Sequence, residues 1–103
     1  MKTTIERSAF LKALNHVQSV VERRNTIPIL SNVLLEAENG VVTLTATDLE
    51  IEVRERVEAE ISQAGAITAP AHMLYDIVRK LPDGGQIELA KDENAERLTL
   101  VSG

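Results

Sequence analysis

The sequence predicts an α+β domain, a doubled β-α-β-β-β motif with two helices packed on one face of antiparallel sheets and the last strand of the second motif missing. Three observations carry that prediction. Segments 8–21 and 71–81 repeat apolar residues at helical spacing. Segment 49–61 alternates apolar and charged residues with period two, the mark of a sheet with one packed and one wet face. A strand–helix–strand order begins at residue 1 and starts again near residue 66.

Taken in order, residues 1–6 read as a short strand. Ser8 is placed to cap a helix whose apolar stripe is Phe10, Leu11, Leu14, Val17 and Val21. Lys12, Asn15, His16, Ser19 and Arg23 fall on its other side. Pro28 leads into a strand over 29–37, and Asn39-Gly40 predicts a type I′ hairpin, because both central residues need positive φ. The strand over 41–47 points Val42, Leu44 and Ala46 inward. In 49–61, Leu49, Ile51, Val53, Val57, Ala59 and Ile61 share one face, and only Glu55 breaks the pattern, as a bulge would. A short strand over 66–69 leads to Pro70, suited to a helix start. The second helix has the expected stripe Leu74, Ile77, Val78 and Leu81, and Leu81-Pro82-Asp83-Gly84-Gly85 ends it. Strands over 87–91 and 97–101 follow.

Ser8-Ala9-Phe10-Leu11 aligns in pattern with Ala71-His72-Met73-Leu74, which divides the single domain 1–103 into pseudo-repeats of about 1–63 and 64–103. The second copy is one strand short, so the chain reads as part of a longer protein. Its final strand would then be an open edge, and weak self-association by strand addition is expected.

The charges are sorted by element. Arg7, Lys12, Arg23 and Arg24 stand against Glu22 in the first helical region, and Arg79 and Lys80 against Asp76 in the second, a combined +4. The other 72 residues hold 14 acids and 5 bases, which recovers the overall −5. Chance segregation over solvated faces would explain this blandly; helices aimed at a polyanion would explain it functionally. Lys and Arg at these positions suit phosphate. Stacking platforms for single strands are missing, since Phe10 and Tyr75 are the only aromatic residues. No helix is rich in Asn, Gln and Arg for reading base edges. Binding to nucleic acid should therefore be weak, sequence-independent and salt-sensitive.

Composition narrows the alternatives. With 103 residues, 44% hydrophobic and 26% charged, the chain is an ordinary single globular domain. It has no cysteine, so no disulfide framework, thiolate nucleophile or cysteine zinc site. No signal-peptide or membrane-length apolar run occurs, and a cytoplasmic bacterial location with no membrane partner is expected. Asp48, Glu50 and Glu52 read as a solvated strand face before they read as a metal site. His16 and His72 read as surface histidines on separate helices. Neither a phosphate-cradling glycine loop nor a Ser-His-Asp spacing is present, so no catalytic residue, metal or cofactor is expected.

Three stretches carry a resemblance. Pro28-Ile29-Leu30-Ser31-Asn32-Val33-Leu34-Leu35, Thr45-Ala46-Thr47-Asp48-Leu49-Glu50-Ile51-Glu52, and Ala69-Pro70-Ala71 through Ile77-Val78-Arg79-Lys80-Leu81-Pro82 closely resemble the bacterial sliding-clamp family. That family is the beta subunit of the replicative DNA polymerase III holoenzyme, and the resemblance is to its N-terminal domain, from residue 1 onward. It implies the DNA-clamp fold: three similar domains per subunit, and two subunits closing head to tail into a homodimeric ring with helices inside and sheets outside. It implies a non-catalytic processivity factor that encircles double-stranded DNA and tethers the replicative polymerase, opened by a clamp loader. Carried onto this chain, the resemblance makes Arg24, Lys12 and Arg79 the expected DNA contacts, with Arg23 and Lys80 beside them. His72 stands where many relatives have a basic side chain. Partner-peptide binding is implied for later domains, and ring closure for a strand just past Gly103.

Overall fold

Eight strands and two helices are described within residues 1–20, 32–47, 52–81, 84–91 and 98–102 of the computed structural model. The order is β1 (Lys2–Glu6), α1 (Arg7–Val20), β2 (Asn32–Glu38), β3 (Val41–Thr47), β4 (Glu52–Glu58), β5 (Glu60–Gln63), β6 (Gly65–Pro70), α2 (Ala71–Arg79), β7 (Gln86–Lys91) and β8 (Leu98–Ser102). The strands form two four-stranded antiparallel sheets, β4-β3-β2-β6 and β5-β1-β7-β8. The strands that precede the two helices thus pair far along the chain: β1 lies between β5 and β7, and β6 beside β2.

Both helices bury one stripe against these sheets. Phe10, Leu14 and Val17 of α1 and Leu74 and Val78 of α2 are buried with Val33, Leu35, Val42 and Leu44 from one sheet and Ile5, Ile87 and Leu89 from the other. Each large side chain buried this way contributes roughly 1.5–3 kcal/mol relative to exposure. Asn39 (φ 54°) and Gly40 (φ 78°) both take the positive φ that the type I′ hairpin requires.

Several expectations change. Helix α1 starts at Arg7, one residue before Ser8, whose hydroxyl donates to the Glu6 carboxylate at 2.6 Å. The unpaired N–H of the helix's first residue goes instead to the Gly85 carbonyl (Arg7 N to Gly85 O, 3.0 Å). The alternating run is not one strand. It divides at Ala59, whose N–H donates to the Gly40 carbonyl at 3.0 Å, and β4 and β5 enter different sheets. Glu55 is no bulge, because β3 and β4 pair in unbroken register from Val41–Glu58 to Thr47–Glu52. The register shift lies between β1 and β5, at Lys2/Thr3. Ile77 is not in the buried stripe of α2; it is 44% exposed, and Met73 is 60% exposed. Ala71 takes the buried place instead.

Burial in the two helices matches with an offset one residue different from the pattern Ser8 to Ala71. The helix starts Arg7 and Ala71 correspond, which matches buried Phe10 to buried Leu74 and buried Leu14 to buried Val78. The other alignment would put Phe10 and Leu14 on the exposed Met73 and Ile77. Val21, the expected strand positions 29–31 and residues 48–51 lie outside the described residues.

Gly65 opens β6 directly beneath the N-terminal residue. A Cβ there would sit 2.9 Å from Met1 Cβ and 3.1 Å from both Met1 Cα and N, and Met1 is buried. Two of those contacts are backbone, so relief requires moving the start of β1. Gly65→Ala is expected to destabilise the domain by about 1–3 kcal/mol, read as a lower urea midpoint at unchanged slope.

Candidate nucleic-acid interface

Helices α1 and α2 pack side by side, each with one side buried and another exposed. Lys12 lies on the exposed side of α1, with Asn15, His16 and Ser19. Arg79 and Lys80 lie exposed at the end of α2. These three cations are therefore borne by adjacent helices on surfaces free of core packing. Arg23 and Arg24 lie outside the described residues. The sheets carry the opposite balance on their outward positions: Glu36, Glu38, Glu52, Glu58 and Glu60 are exposed there against Arg54, Arg56 and Lys2.

His72 is half-buried at the seam between the helices. Its Nδ1 lies 2.9 Å from Gln18 Oε1 on α1, with the ring N–H donating to the amide oxygen. The Gln18 amide nitrogen is occupied by Asn15 Oδ1 at 3.2 Å, which orients the oxygen towards the ring. His72 thus ties the two helices together as well as standing near their surface. Gln18 carried no signal in the sequence beyond its place beside the apolar stripe.

His16 turns towards β4, where its Nδ1 meets the Glu55 carboxylate. The residue that broke the alternation of β4 is therefore a charged partner for α1. Around it a groove between α1 and β4 is lined by Lys12, His16, Glu6, Glu55, Arg56 and Glu58, of mixed charge.

Arg79 is held loosely. Its guanidinium is 3.5 Å from Asp76 Oδ1 and 5.9 Å from the centre of the Tyr75 ring. Both side chains of the ion pair are about half exposed (55% and 46%), so the pair is worth about 0–1 kcal/mol. A phosphate could take Asp76's place at little cost. Arg7, grouped with the basic residues of α1 by sequence, is not on this surface: it is only 7% exposed.

Among the described residues no group of three or more His, Asp or Glu could hold a metal ion. Asp48 and Glu50 lie outside them, and Glu52 pairs with Arg54 at 3.3 Å. Among the same residues no helix is long and apolar enough to cross a membrane.

Comparison with known proteins assigns the chain. The family described as "DNA polymerase III beta subunit, N-terminal domain" matches residues 1–103. The chain belongs to that family. It is 58% identical over 103 residues to the beta sliding clamp of Caulobacter vibrioides, covering all of this chain and 28% of that protein. It is 42% identical over 104 residues to the beta sliding clamp of Escherichia coli K12, again covering 28% of the relative. Among solved structures, the DNA polymerase sliding clamp of Caulobacter crescentus superposes with a TM-score of 0.94 at 58% identity, over 100% of this chain and 28% of that one. The griselimycin-bound sliding clamp of Bartonella birtlesii superposes with a TM-score of 0.92 at 59% identity, over 100% of this chain and 27% of that one. The α+β architecture, with its two helices and two antiparallel sheets, is that of the sliding clamps. The chain spans a little over a quarter of the length of the relatives it matches.

The Arg79–Asp76 pair supplies a sharp check on the interface. Asp76→Asn removes a negative charge from the helix surface and releases Arg79. It is expected to tighten association with duplex DNA about two- to fivefold at low salt, measured by fluorescence anisotropy, with the gain shrinking as salt rises.

Proposed function

We propose that this chain is the N-terminal domain of a ring-shaped sliding clamp that encircles duplex DNA without reading its sequence and tethers the replicative polymerase for processive synthesis. The observation that carries the reading is the sorting of charge in a chain of this family: cations on the outward sides of two adjacent helices, acids on the outward positions of the sheets. A helix-lined hole with such walls attracts phosphate from all sides while offering no base-specific or stacking contact. The work is binding and tethering, with no catalytic step.

In this reading residues 1–103 are one clamp domain of two pseudo-repeats, and Lys12, Arg79 and Lys80 face the DNA together with Arg23, Arg24 and His72. The full-length protein closes as a homodimer in the bacterial cytoplasm. Polymerase and clamp loader engage it through later domains.

The test uses the full-length protein loaded onto nicked circular DNA, with retention in high salt compared before and after the circle is linearised. Retention on the circle and release after cutting is expected; equal behaviour on both overturns the ring. The residue assignment has its own test. Lys12→Ala with Arg24→Ala should weaken association with short duplexes equally for unrelated sequences. It should also lower the slope of log affinity against log salt by about one per lost phosphate contact.

A further inference from the structure

Arg7 is a buried cation that the surface charge pattern does not use. It opens α1, yet its guanidinium reaches the far end of α2, where Nη2 donates to the Arg79 carbonyl at 2.9 Å. Its own main-chain N–H donates to the Gly85 carbonyl at 3.0 Å, on the other side of the turn that leaves α2. One residue therefore holds both ends of the segment that carries Arg79 and Lys80.

The chemistry of a helix end explains why the contact matters. The last carbonyls of a helix have no intrahelical donor and form the negative end of its dipole. In α2 the chain itself takes two of them, through Lys80 N to Ile77 O at 3.2 Å and Leu81 N to Val78 O at 3.1 Å. The next carbonyl, that of Arg79, receives the Arg7 guanidinium. A charged donor at a helix C-terminus makes a stronger bond than a neutral one, and burial protects it from competing water. Among the described residues, the side chain at residue 79 meets an exposed ion pair and Tyr75, so its main chain is the firm reference from which it reaches outward.

We infer that Arg7 is a positioning residue for DNA binding: through the Arg79 carbonyl it sets where the Arg79 and Lys80 side chains stand relative to α1. This rests on the reading of the helices as the DNA-facing surface, and the experiment separates the two ideas. In the full-length protein, Arg7→Met and Arg7→Lys are each made alone and together with Arg79→Ala/Lys80→Ala. Association with a short labelled duplex is measured at fixed low salt, with thermal unfolding of every variant alongside.

Arg7→Met is expected to weaken association about tenfold, and Arg7→Lys, which keeps the charge but not the fork, about threefold. Both losses should vanish once Arg79 and Lys80 are already alanine, the signature of residues acting through one another. Losses that persist undiminished in that background overturn the inference, because Arg7 would then act through general stability. An Arg7→Lys protein equal to wild type overturns it too, since charge alone would suffice. If Arg79→Ala/Lys80→Ala itself has no effect, the assignment of the interface to α2 falls, and this inference with it. Should Arg7→Met fail to fold, the Arg7→Lys pair of measurements decides alone.

Discussion

Strand β1 runs without a connecting loop into α1, from Glu6 to Arg7, and β6 runs the same way into α2, from Pro70 to Ala71. Wherever those two strands pair, their helices must follow. Their pairing is exchanged: β1 is registered with β7 from Lys2–Ala90 to Glu6–Gln86, and β6 with β2 from Asn32–Pro70 to Ala37–Gly65. Each sheet therefore joins strands from 1–63 and from 64–103: β6 completes β4-β3-β2, and β7 and β8 complete β5-β1. Ile5 and Ile87 then sit in the same core as Phe10 and Leu44, and the packing of one helix depends on strands from both halves. The helices end up as neighbours because the strands that launch them were traded.

That geometry decides which charges can matter. Each helix spends one stripe on the sheets and a flank on its neighbour, leaving a narrow outward side for Lys12, Arg79 and Lys80. The sheets, covered on one face by the helices, turn their acidic positions the other way. Arg79 is weakly held, as its exposed pair with Asp76 shows. On the proposed reading, weak, exposed contacts suit a surface along which a polyanion moves, because a phosphate gained at one position has to be surrendered at the next without a deep well between. Bidentate base contacts or aromatic stacking would each add about 1–3 kcal/mol of site preference and make such wells.

Much of this was legible in the residues. Periodicity located both helices, and Asn39-Gly40 located the hairpin, because turn chemistry and amphipathic spacing are local signals. The exchange of β1 and β6 was not legible, since alternation says which face of a strand is buried and nothing about which strand lies beside it. The division at Ala59 was hidden for a related reason: the pattern of 49–61 stays in phase across a change of sheet. Ile77 misled because helical spacing admits it to the stripe, while the real stripe of α2 is rotated towards Ala71. Glu55 looked like an irregularity because its partner, His16, belongs to another element. Lys12, Arg79 and Lys80 are exposed, as positions off the apolar stripes should be; the Gln18–His72 tie between the helices was invisible from either residue.

Arg7 shows how a charge count can mislead in a useful direction. Counted in sequence, it adds to the basic character of α1; in the fold it is withdrawn from the surface and bonded to a carbonyl. A buried guanidinium is expensive to desolvate and is tolerated only where polar partners surround it. An apolar side chain of similar volume could fill the space but would leave the part-buried Arg79 carbonyl at the end of α2 without this charged donor. The site is therefore one where a cation is worth its desolvation because of what it bonds, not because of what it could attract. Withdrawing it also lowers the outward charge of α1 while fixing the outward charge of α2. A clamp surface that held DNA through every cation it possessed would grip; one that uses some of its cations to place the others can hold its ligand loosely and still in register.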